Sequence, residues 1–360
     1  MWESLAPVGP GPNNAITDVP GVLVGHYQRL SEGWATGTTV VVTPGGAVGG
    51  VDIGGGAPGT RETDLLAPSA MVERVHAVCL TGGSAYGLAA ADGVMCWLAE
   101  HAIGLPVGDE PHEVVPIVPA AVLFDLKQNA WGHRPDASFG YAACAATSEG
   151  PVAEGSVGAG TGATAGPVKG GIGTASVVLE GGFTVGALVA LNARGHAVDP
   201  ATGVPFGIGF GLGDEFAAWT APAASDVEAA REQLLATAKM AKLNTTLVIV
   251  ATDAALTKAE CTVLAGVAQD GVARAVRPTH TLFDGDLVFS LATGGRVLEL
   301  ESTDAYAAGP SRAALVNDLA AAGADTVTRA VVHAVLAATT VTNSASYRDL
   351  FPTSFVGNRS

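Results

Sequence analysis

The sequence predicts a single mixed α/β domain, and three observations carry that reading. Strand-like runs are spread along the whole chain, helical patterns are interleaved with them, and no Pro/Ser-rich linker divides the 360 residues. A chain of this length holds ample apolar material for one large core. In chain order, Thr38–Thr43 is a β-branched run that fits a strand. Tyr86–His101 fits a helix that begins directly after a glycine turn and sets Leu88, Val94 and Leu98 near one face. Ala187–Leu191 is an apolar strand. Asp226–Lys242 is rich in Ala, Leu and Glu and reads as a helix, with Ser225 at its start and Glu228 three residues on, the spacing of a capping box. Thr245–Thr252 is nearly continuous in apolar residues, the pattern of a strand buried on both faces. Leu256–Val276 and Arg312–Ala338 complete the set as two long helices. The 48 glycines have no period, which excludes a collagen-like repeat. They cluster at Gly45–Gly59, Gly82–Gly87, Gly155–Gly173 and Gly203–Gly213, between the strand-like runs.

Composition narrows the functions. Hydrophobic residues make up 48% of the chain and charged residues 14%, too few to cover a lone monomer, so a homo-oligomer is expected. The net charge of −16 repels phosphate backbones and anionic lipid surfaces, so neither nucleic acid nor membrane is an expected partner. Cys79, Cys96, Cys144 and Cys261 form no CxxC pair and sit among small or apolar neighbours. They read as buried free thiols of a reducing compartment, not as disulfides or a metal site. Met1–Asn14 has no basic region followed by an apolar stretch, and no uninterrupted apolar run approaches the ~20 residues of a membrane span. A cytoplasmic protein without metal or cofactor is the expectation.

Several short patterns bear on chemistry. Asn244-Thr245-Thr246 enters the buried strand just after a helix, which by pattern alone also fits an ordinary helix–loop–strand connection. In Asp284-Gly285-Asp286 an extended backbone projects both carboxylates to one face, with Gly285 allowing close approach. Neighbouring carboxylates resist double ionisation, which is expected to raise one of the two toward a useful acid/base value. The same tripeptide alone fits a hairpin turn; calcium is less favoured because no further acids follow at loop spacing. Lys169 lies alone in a glycine-rich stretch, where it can hold developing negative charge or sit as a solvated surface lysine. Asn192 follows the apolar run ending at Leu191 and suits either an oxyanion donor or a strand-end turn. Gly158-x-Gly160-x-x-Ala163, with Glu180 further on, meets a loose dinucleotide fingerprint. However, Pro151–Val157 makes a poor strand and Gly166-Pro167 breaks the helix that should follow. There is no Walker lysine motif, no HExxH, and no GxSxG, since Tyr86 holds the last place in residues 82–86.

From Asn14-Ala15-Ile16-Thr17-Asp18-Val19-Pro20-Gly21 to Asp284-Gly285-Asp286, an ordered series of motifs resembles the DmpA-type aminopeptidases. The series includes Gly54-Gly55-Gly56-Ala57-Pro58-Gly59-Thr60-Arg61-Glu62-Thr63-Asp64, Leu80-Thr81-Gly82-Gly83-Ser84-Ala85-Tyr86-Gly87, Gly158-Ala159-Gly160-Thr161-Gly162, Lys169-Gly170-Gly171-Ile172-Gly173 and Ala251-Thr252-Asp253-Ala254. It spans about three quarters of the chain, and Thr245 points to the threonine-nucleophile branch, which includes the nylon-oligomer hydrolases. The resemblance implies a four-layer α-β-β-α sandwich of the N-terminal-nucleophile type. It also implies a precursor that cuts itself into residues 1–244 and 245–360, which stay together and assemble as a tetramer of processed pairs. It implies Thr245 as nucleophile and Lys169, Asn192, Asp284 and Asp286 as active-site partners, with Phe124 and Tyr86 near the substrate. Two departures stand out. The serine branch has Ser-x-Glu where this chain has Asp284 and Asp286, and the nylon-oligomer enzymes have tyrosine at Phe124.

The implied chemistry suits the residues. A threonine hydroxyl needs a base, and a freed Thr245 amine, with a reference pKa of about 7.7–8.0, supplies one without histidine. The expected substrate is a small peptide or amino-acid amide with a free amine, with a β-peptide or ω-amino-acid oligomer second. Acyl transfer, as in the self-processing ornithine acetyltransferases, is the second enzymatic reading. A nucleotide-binding protein and a processed but idle scaffold are the readings from other classes.

Overall fold

The structure, a computed structural model, describes residues 5–237, 244–298 and 311–355. Ten strands form one hydrogen-bonded sheet: β1 (Pro7–Gly9), β2 (Leu23–Arg29), β3 (Thr36–Ile53), β4 (Thr60–Arg61), β5 (Arg74–Thr81), β6 (Ala120–Val122), β7 (Gly171–Leu179), β8 (Thr184–Leu191), β9 (Leu247–Ala254) and β10 (Leu287–Arg296). Their spatial order is β1-β7-β8-β9-β10-β3-β5-β6-β4, with β2 added to β3. Only the β9–β10 and β5–β6 pairs on this path are parallel.

The 18-residue β3 explains how one path makes two layers. Its first half pairs with β2 and β5, its second half with β10, and its register with β5 breaks between Val42 and Ala47, at Pro44-Gly45-Gly46. Side chains alternate across a strand, so each face of β7–β10 meets a different partner. Leu188, Ala190, Leu247, Ile249, Leu287 and Phe289 pack inward with Val41, Val78 and Leu80 of β3 and β5. Ala187, Val189, Val248, Val250 and Val288 pack outward against the helices α4 (Lys258–Ala275) and α5 (Arg312–Ala337). On the far side, Val40, Val42, Ala77 and Cys79 meet α1 (Ala90–Glu100) and α2 (Ala137–Ala145). The result is the four-layer α-β-β-α sandwich. Among the described residues α5 is the one helix long and apolar enough to cross a membrane, and 78% of its most apolar window is buried inside the protein.

The elements differ from the sequence reading at their ends. The segment expected as a helix from Tyr86 opens as a 3₁₀ turn, Ser84–Ala89, before α1 begins at Ala90; Val94 and Leu98 are buried as anticipated. The helix α3 (Ala224–Thr237) starts before Ser225, so Ser225 lies within it and does not cap it. The chain enters that helix with the Ala223 N–H on Thr353 Oγ1, while Asp226 accepts from the Thr353 N–H and hydroxyl. The expected continuation through Lys242 lies outside the described residues. A true capping box starts α4 instead, between Thr257 and Glu260. Cys96 departs from the expectation of buried thiols: it sits on the outer face of α1 and is exposed, whereas the other three are buried. The glycines of the loose dinucleotide pattern form a buried 3₁₀ turn, Gly158–Gly160, with no helix after it.

Close approach of α5 to the sheet and to α4 depends on one glycine each. A β-carbon at Gly173 would lie 2.0 Å from Ala330 O of α5, and one at Gly271 of α4 would lie 2.2 Å from Ala324 O of the same helix. Backbone cannot retreat as a flexible side chain can. Gly173→Ala is therefore expected to destabilise the protein by about 3 kcal/mol, the upper end for overpacking, read as a lower urea midpoint at unchanged slope.

Candidate active site

The site grows out of strand register. In the parallel β9–β10 pair, Leu247 faces Leu287, and the same offset carried upstream sets Asn244 beside Asp284 as an isolated bridge. In the antiparallel β8–β9 pair, Ala190 faces Leu247, and continuing that register brings Asn192 opposite Thr245. Three segments distant in sequence thus meet at the head of β9. Asn244, Thr245, Thr246, Asn192, Lys169, Asp284 and Asp286 are all buried, each at most 5% exposed. Lys169 is therefore not a solvated surface lysine. The regular ladder begins at Leu247, two residues after the expected strand start, because Asn244–Thr246 are held by single contacts.

Those contacts fix both ends of the Asn244–Thr245 bond. The Gly285 N–H donates to the Asn244 carbonyl at 2.9 Å, and the Thr245 N–H donates to the Asn192 main-chain carbonyl at 2.7 Å. The Thr245 hydroxyl lies against the bare Cα of Gly285: a β-carbon there would sit 2.6 Å from Thr245 Oγ1 and 2.7 Å from Ala57 O. The Asn192 amide is fully engaged on one side. Its Oδ1 accepts from the Thr164 N–H at 3.0 Å and from Asn244 Nδ2 at 3.4 Å, and its Nδ2 donates to Phe124 O at 3.2 Å. Among the described residues the buried Asn244 Oδ1 and Thr246 Oγ1 have no hydrogen-bond partner.

The two carboxylates take separate partners. Asp286 Oδ1 accepts from the Thr246 N–H at 2.7 Å, and Oδ2 accepts from the His280 N–H at 3.1 Å and the Thr279 hydroxyl at 3.0 Å, with His280 Nδ1 at 3.1 Å. Asp284 Oδ2 accepts from the Thr281 N–H and hydroxyl, and its Oδ1 lies 3.4 Å from the Arg194 N–H donor. The expectation that crowding raises one of them fails for Asp286. Burial pushes its carboxyl up, but hydrogen bonds from His280 and from the Thr246 and His280 N–H groups outweigh that and hold it below the ordinary carboxylate value. Burial presses His280 down, yet its bond to Asp286 and that carboxylate's charge leave it above its ordinary value. Sequence reasoning missed His280. Its partner lies only six residues on, but a histidine with no motif around it gives no signal.

Lys169 sits in a two-residue ribbon with Thr164 (Thr164–Ala165 with Val168–Lys169), and its ammonium donates to Gly160 O and Gly170 O, both at 2.8 Å. A cleft beside these groups is lined by Phe124, Asp125, Lys127, Gln128, Gly162, Thr164 and Asn244. Phe124 thus reaches the site, whereas Tyr86 is 53% exposed, has the Arg134 guanidinium 3.9 Å from its ring centroid, and does not line this cleft.

Two packed β layers covered by helices on both outer faces are the architecture of the N-terminal-nucleophile class of hydrolases. The same architecture is found in the L-aminopeptidase D-Ala-esterase/amidase of Ochrobactrum anthropi, whose fold is described as a variant of that class (TM-score 0.67, 23% identity, covering 93% of this chain and 89% of that one). It is also found in a β-aminopeptidase of Burkholderia sp. (TM-score 0.70, 27% identity, 98% and 97% covered). The profile of Peptidase family S58 matches residues 14–348, and the chain belongs to that family. It is a hydrolase acting on peptide or amide bonds. An uncharacterized aminopeptidase of Mycobacterium tuberculosis is 51% identical over 95% of this chain and 99% of its own length. A 6-aminohexanoate-oligomer endohydrolase of Kocuria sp. is 32% identical over 80% and 81%.

The Asp286–His280 pair has a definite pH signature. The Asp286 share of stability is present above the unfolded carboxylate value of about 3.9 and is lost as pH falls through its depressed folded value. The His280 share is present below about 6.5 and is lost as pH rises through its raised folded value. His280→Gln is expected to remove the loss of thermal midpoint that accompanies deprotonation above pH ~6.5; a wild-type-like profile would contradict the pairing. Gly285→Ala, which drives a methyl into the Thr245 hydroxyl, is expected to block any reaction at that hydroxyl.

Proposed function

We propose that the chain cuts itself between Asn244 and Thr245 and then hydrolyses small peptides or amino-acid amides with Thr245 as its N-terminal nucleophile. The observation that carries this reading is that one residue, Gly285, holds the Asn244 carbonyl by its N–H and leaves room at its Cα for the Thr245 hydroxyl. In the first reaction Oγ1 adds to the Asn244 carbonyl carbon as its proton leaves, and the Gly285 N–H stabilises the oxyanion. The C–N bond then breaks, the Thr245 nitrogen takes up a proton, and water hydrolyses the resulting ester to free the hydroxyl.

In turnover the new amine accepts the Oγ1 proton, directly or through water. The Asn192 main-chain carbonyl, which binds the Thr245 N–H in the uncut chain, orients that amine. The ionised Asp286 fixes Thr246 and with it the head of β9; Asp284 braces the turn that presents Gly285. The buried Lys169 charge and the Asn192 side chain serve the negative charge of the acyl-transfer step. Phe124 gives the cleft an apolar wall without a hydroxyl. Because a relative at 32% identity acts on 6-aminohexanoate oligomers, short amide oligomers are the second substrate class. Exposed Leu30, Met71, Trp131 and Leu282, together with the low charged fraction, support extending the proposal to a homo-oligomer of processed pairs.

Active protein is expected to run as two bands on a denaturing gel, with Thr-Thr-Leu-Val at the start of the smaller one. Thr245→Ala should give a single inactive chain. Full activity in a preparation that stays intact would overturn the mechanism. Lys169→Ala is expected to lose about 10²–10³ in rate, the usual loss for a group that stabilises an oxyanion, measured as kcat on aminoacyl p-nitroanilides.

A further inference from the structure

Two of the glycine-rich motifs converge on a carboxylate that the reaction above does not use, and a third brings Lys169 to the same turn. Asp125, 2% exposed, accepts from the Thr36 hydroxyl at 2.5 Å and from the Gly83 N–H at 2.7 Å. The cradle tolerates no side chain. A β-carbon at Gly82 would lie 2.2 Å from both Asp125 Oδ2 and Thr36 Oγ1, and one at Gly162 would lie 2.9 Å from Asp125 Cβ. Gly83 takes a left-handed φ of 84°, which aims its N–H at the carboxylate. On the other side of the same turn, Gly160 receives the Lys169 ammonium. An ammonium that is 1% exposed and bound to two neutral carbonyls needs a counter-charge to stay ionised.

We propose that Asp125 is that counter-ion, a positioning residue that keeps Lys169 protonated and anchored beside the Asn244–Thr245 bond. The inference rests on the role given above to Lys169. Both groups flank one turn, with Gly162 packed on the Asp125 carboxylate and the Gly160 carbonyl holding the Lys169 ammonium; their other polar neighbours are the Gly170 carbonyl, the Thr36 hydroxyl and the Gly83 N–H. Burial drives Lys169 down to about 7 against the opposing pull of Asp125. Burial drives Asp125 up to about 6, against the hydrogen bonds of Thr36 and Gly83 and the Lys169 charge. Each charge thus favours the ionised form of the other. Asp125 also fixes the chain at Phe124, whose carbonyl holds the Asn192 amide, so one carboxylate sets two elements of the site.

The test reads the lysine directly. The sequence has five lysines, so a protein labelled with ¹³C at lysine Cε gives few resonances, and Lys169→Met assigns the one of interest. The Lys169 resonance is expected to titrate near pH 7 in the wild-type protein. It should titrate about one pH unit or more lower in Asp125→Asn, with kcat near pH 7.5 falling about tenfold and KM little changed. Thr36→Val, which leaves Asp125 in place but weakens its ionised form, should shift the midpoint in the same direction by less, and it decides the matter if Asp125→Asn does not fold. An unmoved Lys169 midpoint in a folded variant overturns the counter-ion role while leaving the use of Lys169 in the reaction intact. Near-normal turnover of Lys169→Ala instead removes the catalytic reading of Lys169, and the positioning role with it.

Discussion

The hydrogen bond from the Gly285 N–H to the Asn244 carbonyl is the contact on which the rest of the site depends. It exists because β9 and β10 run parallel, and parallel neighbours need a long crossover between them. Here that crossover is α4, which covers the outer face of the strands it connects. The apolar side chains of β9 are therefore buried on both faces, and the strand cannot slide by one residue without turning its inner set outward. Register, and with it the meeting of Asn244, Gly285 and Asn192, is locked by packing far from the reacting atoms.

Around this frame the charges are few and buried. Asp286 is held ionised by His280 and backbone N–H groups, and Asp125 lies in a glycine cradle opposite Lys169. In a low-dielectric interior such groups act at a range that water would screen. A site built this way orients a hydroxyl and a carbonyl through backbone contacts and buried charge. It also explains why the glycine motifs are so dense: backbone must approach carboxylate, hydroxyl and carbonyl more closely than any Cβ permits.

Much of this was legible in the sequence. The run Thr245–Thr252 announced a doubly buried strand, observed over Leu247–Ala254, and Arg312–Ala338 a long helix that ends within one residue of the observed one. The resemblance assembled Thr245, Lys169, Asn192, Asp284 and Asp286, and the structure brings these residues to one region. What stayed hidden are pairings that depend on three-dimensional register: His280 with Asp286, the Gly83 N–H with Asp125, and the Gly285 N–H with the Asn244 carbonyl. The misplaced cap at Ser225 has the same origin. The Ser-x-x-Glu spacing was right, but the contact from Thr353, more than a hundred residues away, lets the helix start earlier. Cys96 looked buried because its neighbours are apolar, yet it falls on the one face of α1 that no layer covers.

The order β8-β9-β10-β3 has a final consequence for cohesion. A nick at the head of β9 leaves the downstream fragment's two strands wedged between β8 and β3 of the upstream one, each edge zipped by a full ladder. Parting the halves would mean unzipping the middle of the molecule and exposing both of its oily interiors at once. A chain severed there would therefore be held by two ladders and two buried faces in place of the lost bond.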